Sequence, residues 1–119
     1  MRNYDVLLLH QIPYAGMHNY NTLKSRLNEN KEIPVFYIVG ESTDFESFND
    51  LQKSMKINRG AVNGVLDVKP YYNPNFGLFN VDDDVEKFVG EFPPLALPHS
   101  EFSLNANHDI LLQMNIRDV

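Results

Sequence analysis

Four groups of residues in this 119-residue chain are of types that could do chemistry. His10 and His18 lie eight positions apart around a Pro- and Gly-containing stretch, and an imidazole can exchange protons near neutral pH or ligate a metal. Ser42 sits in Glu41-Ser42-Thr43-Asp44 just after an apolar run, and with His99 or His108 as base its hydroxyl could act as a nucleophile. Asp82, Asp83 and Asp84 form a run of carboxylates that could attract a divalent cation. Tyr71 and Tyr72, with Asn73 and Asn75 nearby, could stack on a sugar ring or a peptide.

Each group also has a plainer reading. A histidine at the end of a strand is commonly a hydrogen-bonded structural residue, and neither His10 nor His18 has an acidic neighbour at a recognised ligand spacing. No Gly-x-Ser-x-Gly turn presents Ser42, whose simplest role is to help start a helix. The aspartate run lacks the glycine and distal glutamate of a calcium loop, and carboxylates favour the positive end of a helix. In a domain this small the aromatics are needed for the core. Gly40, Gly60 and Gly64 fit neither the phosphate-loop nor the dinucleotide fingerprint, so nucleotide binding is not expected.

The elements that would position these groups follow from the apolar pattern. Residues 4–10 and 33–39 are apolar runs without polar alternation, the pattern of parallel strands covered on both faces. Between them Tyr20, Leu23 and Leu27 recur at helical spacing, with Asn19 or Asn21 able to cap the start and an end near Asn30. After Gly40, Thr43 and Glu46 make a capping box, and Phe45, Phe48, Leu51 and Met55 form the stripe of a second helix. The alternation predicts right-handed crossovers and a three-layer, flavodoxin-like α/β fold with a mainly parallel central sheet.

Beyond Lys56 the pattern is more broken. Asn58-Arg59-Gly60 and Asn63-Gly64 read as turns, residues 65–68 and 76–81 as short strands of an edge hairpin, and Pro70 and Pro74 as breaks. Asp82 to Asp84 open a third helix in which Val85, Phe88, Val89 and Phe92 recur, stopped by Gly90 and Pro93-Pro94. Residues 93–98 read as an extended linker. Residues 108–116 read as a last strand, after which the chain ends without a closing element, as an excised part of a larger protein would.

Composition narrows the function. Ten basic against sixteen acidic residues give a net charge of -6, which offers no field for a phosphate backbone, so nucleic acid is not an expected partner. No apolar run approaches the roughly 20 residues of a membrane span. The chain has no cysteine, which removes disulfides, thiolate metal sites and a cysteine nucleophile. Length and 43% apolar content suit one globular domain.

The order Tyr4, Asp5, Val6 to Leu9, His10, Gln11, Ile12, Pro13 resembles the opening of the class I glutamine amidotransferase-like superfamily, in which Tyr-Asp and apolar residues lead to Gly-Gly-Pro. Pro34-Val35 resembles the start of the strand that leads to the nucleophile there. Gln11 and Ile12 replace the glycines that would form an oxyanion hole, and the nucleophile position falls near Val39 or Gly40, where there is no thiol or hydroxyl. Together with PYYNPNFGLFNV and FPPLALP, the chain is similar to the amidotransferase-like region of bacterial membrane proteins that also carry a von Willebrand factor A domain. That resemblance implies a non-catalytic module without cofactor in a membrane-anchored, periplasmic assembly. Its partner would be another protein, the remainder of a parent chain or a second copy. The crevice beyond the strand ends, in residues 11–18 and 41–43, is the expected contact site, with His10, Gln11, Tyr14, Met17, His18, Glu41 and Ser42 on it.

Overall fold

The structure, a computed structural model, describes residues 4–59, 65–105 and 107–114. The apolar runs that open the chain form β1 (Leu7–His10) and β2 (Val35–Ile38), joined through helix α1 (Tyr20–Glu29). They pair in parallel, with Leu7 opposite Val35 and His10 opposite Ile38. Helix α1 follows its predicted periodicity and ends at Asn30, whose side-chain Nδ2 donates to the Arg26 carbonyl at 2.8 Å. Asn19 stands at its N-cap position but makes no side-chain cap bond.

Helix α2 (Phe45–Leu51) begins one residue later than a Thr43 cap would place it. Asp44 is the cap, its carboxylate accepting from the Ser47 N–H at 3.2 Å, because the Thr43 hydroxyl is occupied by the Gly40 N–H. The helix also stops earlier than its apolar stripe suggests. Met55 belongs instead to β3 (Met55–Arg59), and the Asn58-Arg59 pair expected to turn is part of that strand.

Two amides, one in α2 and one at its C-cap, explain the switch. Asn49 donates to the Ile57 carbonyl and accepts its N–H, both at 2.8 Å, and Gln52 does the same for Met55 at 2.6 and 2.9 Å. These side chains occupy one edge of β3 as a neighbouring strand would, satisfying the backbone groups of Met55 and Ile57. The other edge pairs antiparallel with β7 (Ser100–Leu104), a strand not among those expected from the sequence.

The remaining strands pair over long sequence separations. β4 (Val65–Val68) lies antiparallel to β6 (Leu95–Pro98), the segment expected as a linker, and β5 (Pro70–Tyr72) lies antiparallel to β8 (Leu112–Met114). Pro70, expected to break the chain, starts β5, a position where its missing N–H is tolerated. No strand forms over residues 76–81. Asn73 turns the chain there, accepting the Asn75 N–H on its side chain and the Phe76 N–H on its backbone, and Phe76 meets Phe79 edge to face at 4.8 Å. Helix α3 (Asp83–Gly90) forms as its spacing predicts and buries Val89. The Asn63-Gly64 turn, Gly60 and Ile116 lie outside the described residues.

The expected three-layer flavodoxin-like fold is therefore corrected. Among the described residues there are four two-stranded sheets, one parallel and three antiparallel, rather than a mainly parallel central sheet. The β1–β2 pair acquires no third strand because the later strands find antiparallel partners among themselves. The core is correspondingly small. Phe45, Phe48 and Ile57 are buried together, with Tyr37, Val39 and Met55 packed against them and Tyr37 edge-on to Phe48 at 5.3 Å. Among the described residues no helix is long and apolar enough to cross a membrane.

Candidate functional site

The parallel pairing of β1 and β2 brings the two predicted crevice loops together, since both leave the C-terminal ends of adjacent strands. After His10 the chain turns at Gln11, whose φ of 52° is in the left-handed region that side chains seldom adopt. The Gln11 N–H still donates to the Ile38 carbonyl at 2.7 Å, so the ladder is held while the side chain is redirected towards the second loop. There its Oε1 accepts the Ser42 N–H at 2.7 Å. Its Nε2 stands 3.5 Å from His10 Nε2.

Gly40 is required by this arrangement. A Cβ at position 40 would stand 2.7 Å from Gln11 Cδ and 2.9 Å from its Oε1, so the amide lies where any other residue would place its side chain. The Gly40 N–H donates to the Thr43 hydroxyl at 3.0 Å and the Thr43 N–H donates to the Gly40 carbonyl at 3.1 Å, closing a tight turn. Thr43 is buried. Buried Pro13 accepts the Asp44 N–H on its carbonyl at 2.9 Å, and Tyr14 bridges to Thr43.

The loops are thus laced by hydrogen bonds. Four of the five backbone N–H groups from Gly40 to Asp44 are already donating within the protein. They hold the Gln11 amide, the Pro13 carbonyl and one another.

The other candidates divide. Tyr14 is 48% exposed on the outer side of the loop, while Met17 is half-buried and its N–H donates to the Tyr14 carbonyl. His10, His18, Glu41 and Ser42 are exposed. Among the described residues the Ser42 hydroxyl has no hydrogen bond to a histidine. His108 Nδ1 is bound to the Asn105 carbonyl, and His99 Nδ1 is buried without a hydrogen-bond partner. Tyr71 and Tyr72, neighbours on β5, point to opposite faces, Tyr71 outward and Tyr72 half-buried, so they do not form one stacking platform. Asp82, Asp83 and Asp84 are exposed at the start of α3, and among the described residues no group of three or more potential ligands could hold a metal ion.

Sequence reasoning placed Gln11, Ser42 and Thr43 in the crevice loops but did not foresee that Gly40, Thr43 and Asp44 lock them together. One available signal was Gly40 itself, since a glycine closing an apolar strand often marks close approach of another group. A second polar cluster joins α1 to α2. Lys24 pairs with Asp50 at 2.8 Å, and the Tyr20 hydroxyl donates to Asp50 and lies 3.2 Å from the Ser47 carbonyl. Burial, followed by the Asp50 hydrogen bond, pushes the Tyr20 hydroxyl well above its usual range, and the Lys24 hydrogen bond holds the Asp50 carboxyl below its own.

No family model, no curated protein and no solved structure matches this chain.

Proposed function

We propose that this chain is a non-catalytic interaction module of a larger bacterial envelope protein, with the laced loops after β1 and β2 as its contact surface for the remainder of that protein. The observation that carries this reading is that the two loops are laced together: the Gln11 N–H, at the position of the expected oxyanion hole, donates to the Ile38 carbonyl, and the Gly40, Ser42, Thr43 and Asp44 N–H groups are likewise engaged inside the protein. The absence of any thiol near Val39 and Gly40 points the same way. Hydrogen-bonded loops with Tyr14 projecting from them suit a partner that needs a fixed surface, because little ordering remains to be done on binding.

The purified chain is expected to turn over glutamine no faster than a heat-killed control, and Val39→Cys or Gly40→Cys is expected to leave that unchanged. Tyr14→Ala and Met17→Asp are expected to weaken co-purification with the rest of the parent protein. Glutamine turnover by the native chain would overturn the non-catalytic reading. Undiminished co-purification together with a sharply lowered melting temperature would assign these two side chains to the fold.

A further inference from the structure

Helix α3 packs against β5, and between them lies an open cleft of about 180 Å³, lined by Pro70, Tyr71 and Tyr72 from the strand and by Glu86, Val89 and Gly90 from the helix. Helical spacing puts Glu86 and Gly90 on one edge of α3, with Asp83 three positions before Glu86 on the same edge. Gly90 is not at positive φ, and a Cβ at position 90 would meet nothing within 4 Å. Neither turn geometry nor close packing therefore calls for a glycine there, although glycine is among the weakest helix formers. Its missing side chain leaves the end of the cleft open.

The charge beside this cleft is uncompensated. Residues 82–91 carry Asp82, Asp83, Asp84, Glu86 and Glu91 against Lys87, and among the described residues the sole ion pair is Lys24 with Asp50, so none of these carboxylates is paired. The helix dipole accounts for negative charge in the first turn of α3. It does not account for a carboxylate set against two tyrosines at the mouth of a cleft that a glycine keeps open.

The lining selects its occupant. Aromatic surface and a carboxylate both attract a cation. A metal ion does not fit, because among the described residues no group of three or more potential ligands could hold one. The volume is below the roughly 300–1,000 Å³ of sites for cofactors and drug-sized ligands, so the occupant is a single side chain. A guanidinium stacks on an aromatic ring and meets a carboxylate as a fork, which suits these walls better than a strongly hydrated ammonium. We infer that the cleft between α3 and β5 receives an arginine side chain from a partner protein. A second copy of this chain is not the source, since two copies each with a net charge of -6 repel one another. This site lies apart from the loops after β1 and β2 and does not depend on the function proposed for them.

An NMR chemical-shift titration of the 119-residue chain tests it, the probe being a blocked heptapeptide of alanines around one central arginine. A Kd of about 1 mM or tighter is expected, with the amide signals of Tyr71, Glu86 and Gly90 moving. Citrulline in place of arginine, neutral but nearly the same shape, should weaken binding by about threefold or more, as should Glu86→Gln, and added salt should weaken it too. Gly90→Leu places a side chain in the opening and should abolish the shifts with an unchanged circular dichroism spectrum. If that variant fails to fold, Glu86→Gln, a surface change of the same shape, still decides the matter. Tyr14→Ala, on the loops after β1 and β2, should bind as wild type does. The inference is overturned by an absence of shifts at about 10 mM peptide, by equal affinity for the citrulline peptide, or by binding indifferent to Glu86→Gln. Methylguanidinium binding as tightly as the heptapeptide would overturn the assignment to a partner chain.

Discussion

The Gln11 amide oxygen accepts the Ser42 backbone N–H at 2.7 Å, a single bond that ties the loop after β1 to the loop after β2. It is formed by a residue at φ 52°, and it occupies the space left by the missing side chain of Gly40. The loop pair is therefore stabilised by a side-chain contact at the expense of backbone strain at Gln11.

Two substitutions separate these terms. Gln11→Ala removes the hydrogen bond, worth about 1 kcal/mol, and keeps a side chain in the left-handed region. Gln11→Gly removes the same bond but releases a backbone cost of roughly 1–2 kcal/mol. In urea unfolding the glycine variant is therefore expected to be about 1 kcal/mol more stable than the alanine variant. An alanine variant at least as stable as the glycine one would contradict the left-handed backbone at Gln11.

The polar cluster between α1 and α2 predicts a pH dependence with two limbs. Asp50 is held below its usual range by the Lys24 hydrogen bond first and the Tyr20 hydrogen bond second, so its contribution is complete above the ordinary carboxylate pKa of about 3.9. That contribution is lost as pH falls below this value towards the folded one. Tyr20 is raised by burial and then by Asp50, so its contribution is complete below about pH 10 and is lost as pH rises above it. The melting temperature of Asp50→Asn should fall less steeply than wild type between about pH 4 and pH 2, and its Tyr20 should ionise at lower pH in an ultraviolet titration. Parallel acid limbs in the two proteins would show that the pair adds nothing to folding.

The small core predicts an uneven response to truncation. Phe48 is 2% exposed and edge-on to Tyr37, and Phe48→Ala should cost about 3–5 kcal/mol. Phe36 is 59% exposed, and Phe36→Ala should change the stability of the monomer by about 0.5 kcal/mol or less, measured at a concentration low enough to exclude association. Similar losses at both positions would mean that the outer face of β1–β2 is packed within a single chain. Val35 is half-buried rather than enclosed on both faces, so Val35→Asp should fall below the several kcal/mol that a fully buried strand would imply.

Much of the first half of the chain was legible in the sequence. Helical spacing at Tyr20, Leu23 and Leu27, and the apolar runs beside it, lead directly to β1, α1 and β2, and the parallel pairing places the loops at residues 11–18 and 41–43 side by side. Periodicity encodes these elements locally, and a short β-α-β connection has few alternatives. The lock within the loops was less visible. Gln11 reaches across to Ser42 only because Gly40 leaves room and Thr43 closes the turn, a coincidence of three positions from two segments.

By itself the sequence determined the helices, the apolar runs that become β1 and β2, the lack of cysteine chemistry and the net negative charge, all of which depend on composition or on spacings within about ten residues. The tertiary structure alone decided that β3 pairs with β7, β4 with β6 and β5 with β8, partners 27 to 49 residues apart at their nearest and farthest register positions. Such pairings are selected by which edges and faces remain open once the local elements have formed, a competition that no local pattern records. The same competition leaves β1–β2 as an isolated pair with one bare face, although its residues read as a strand pair covered on both.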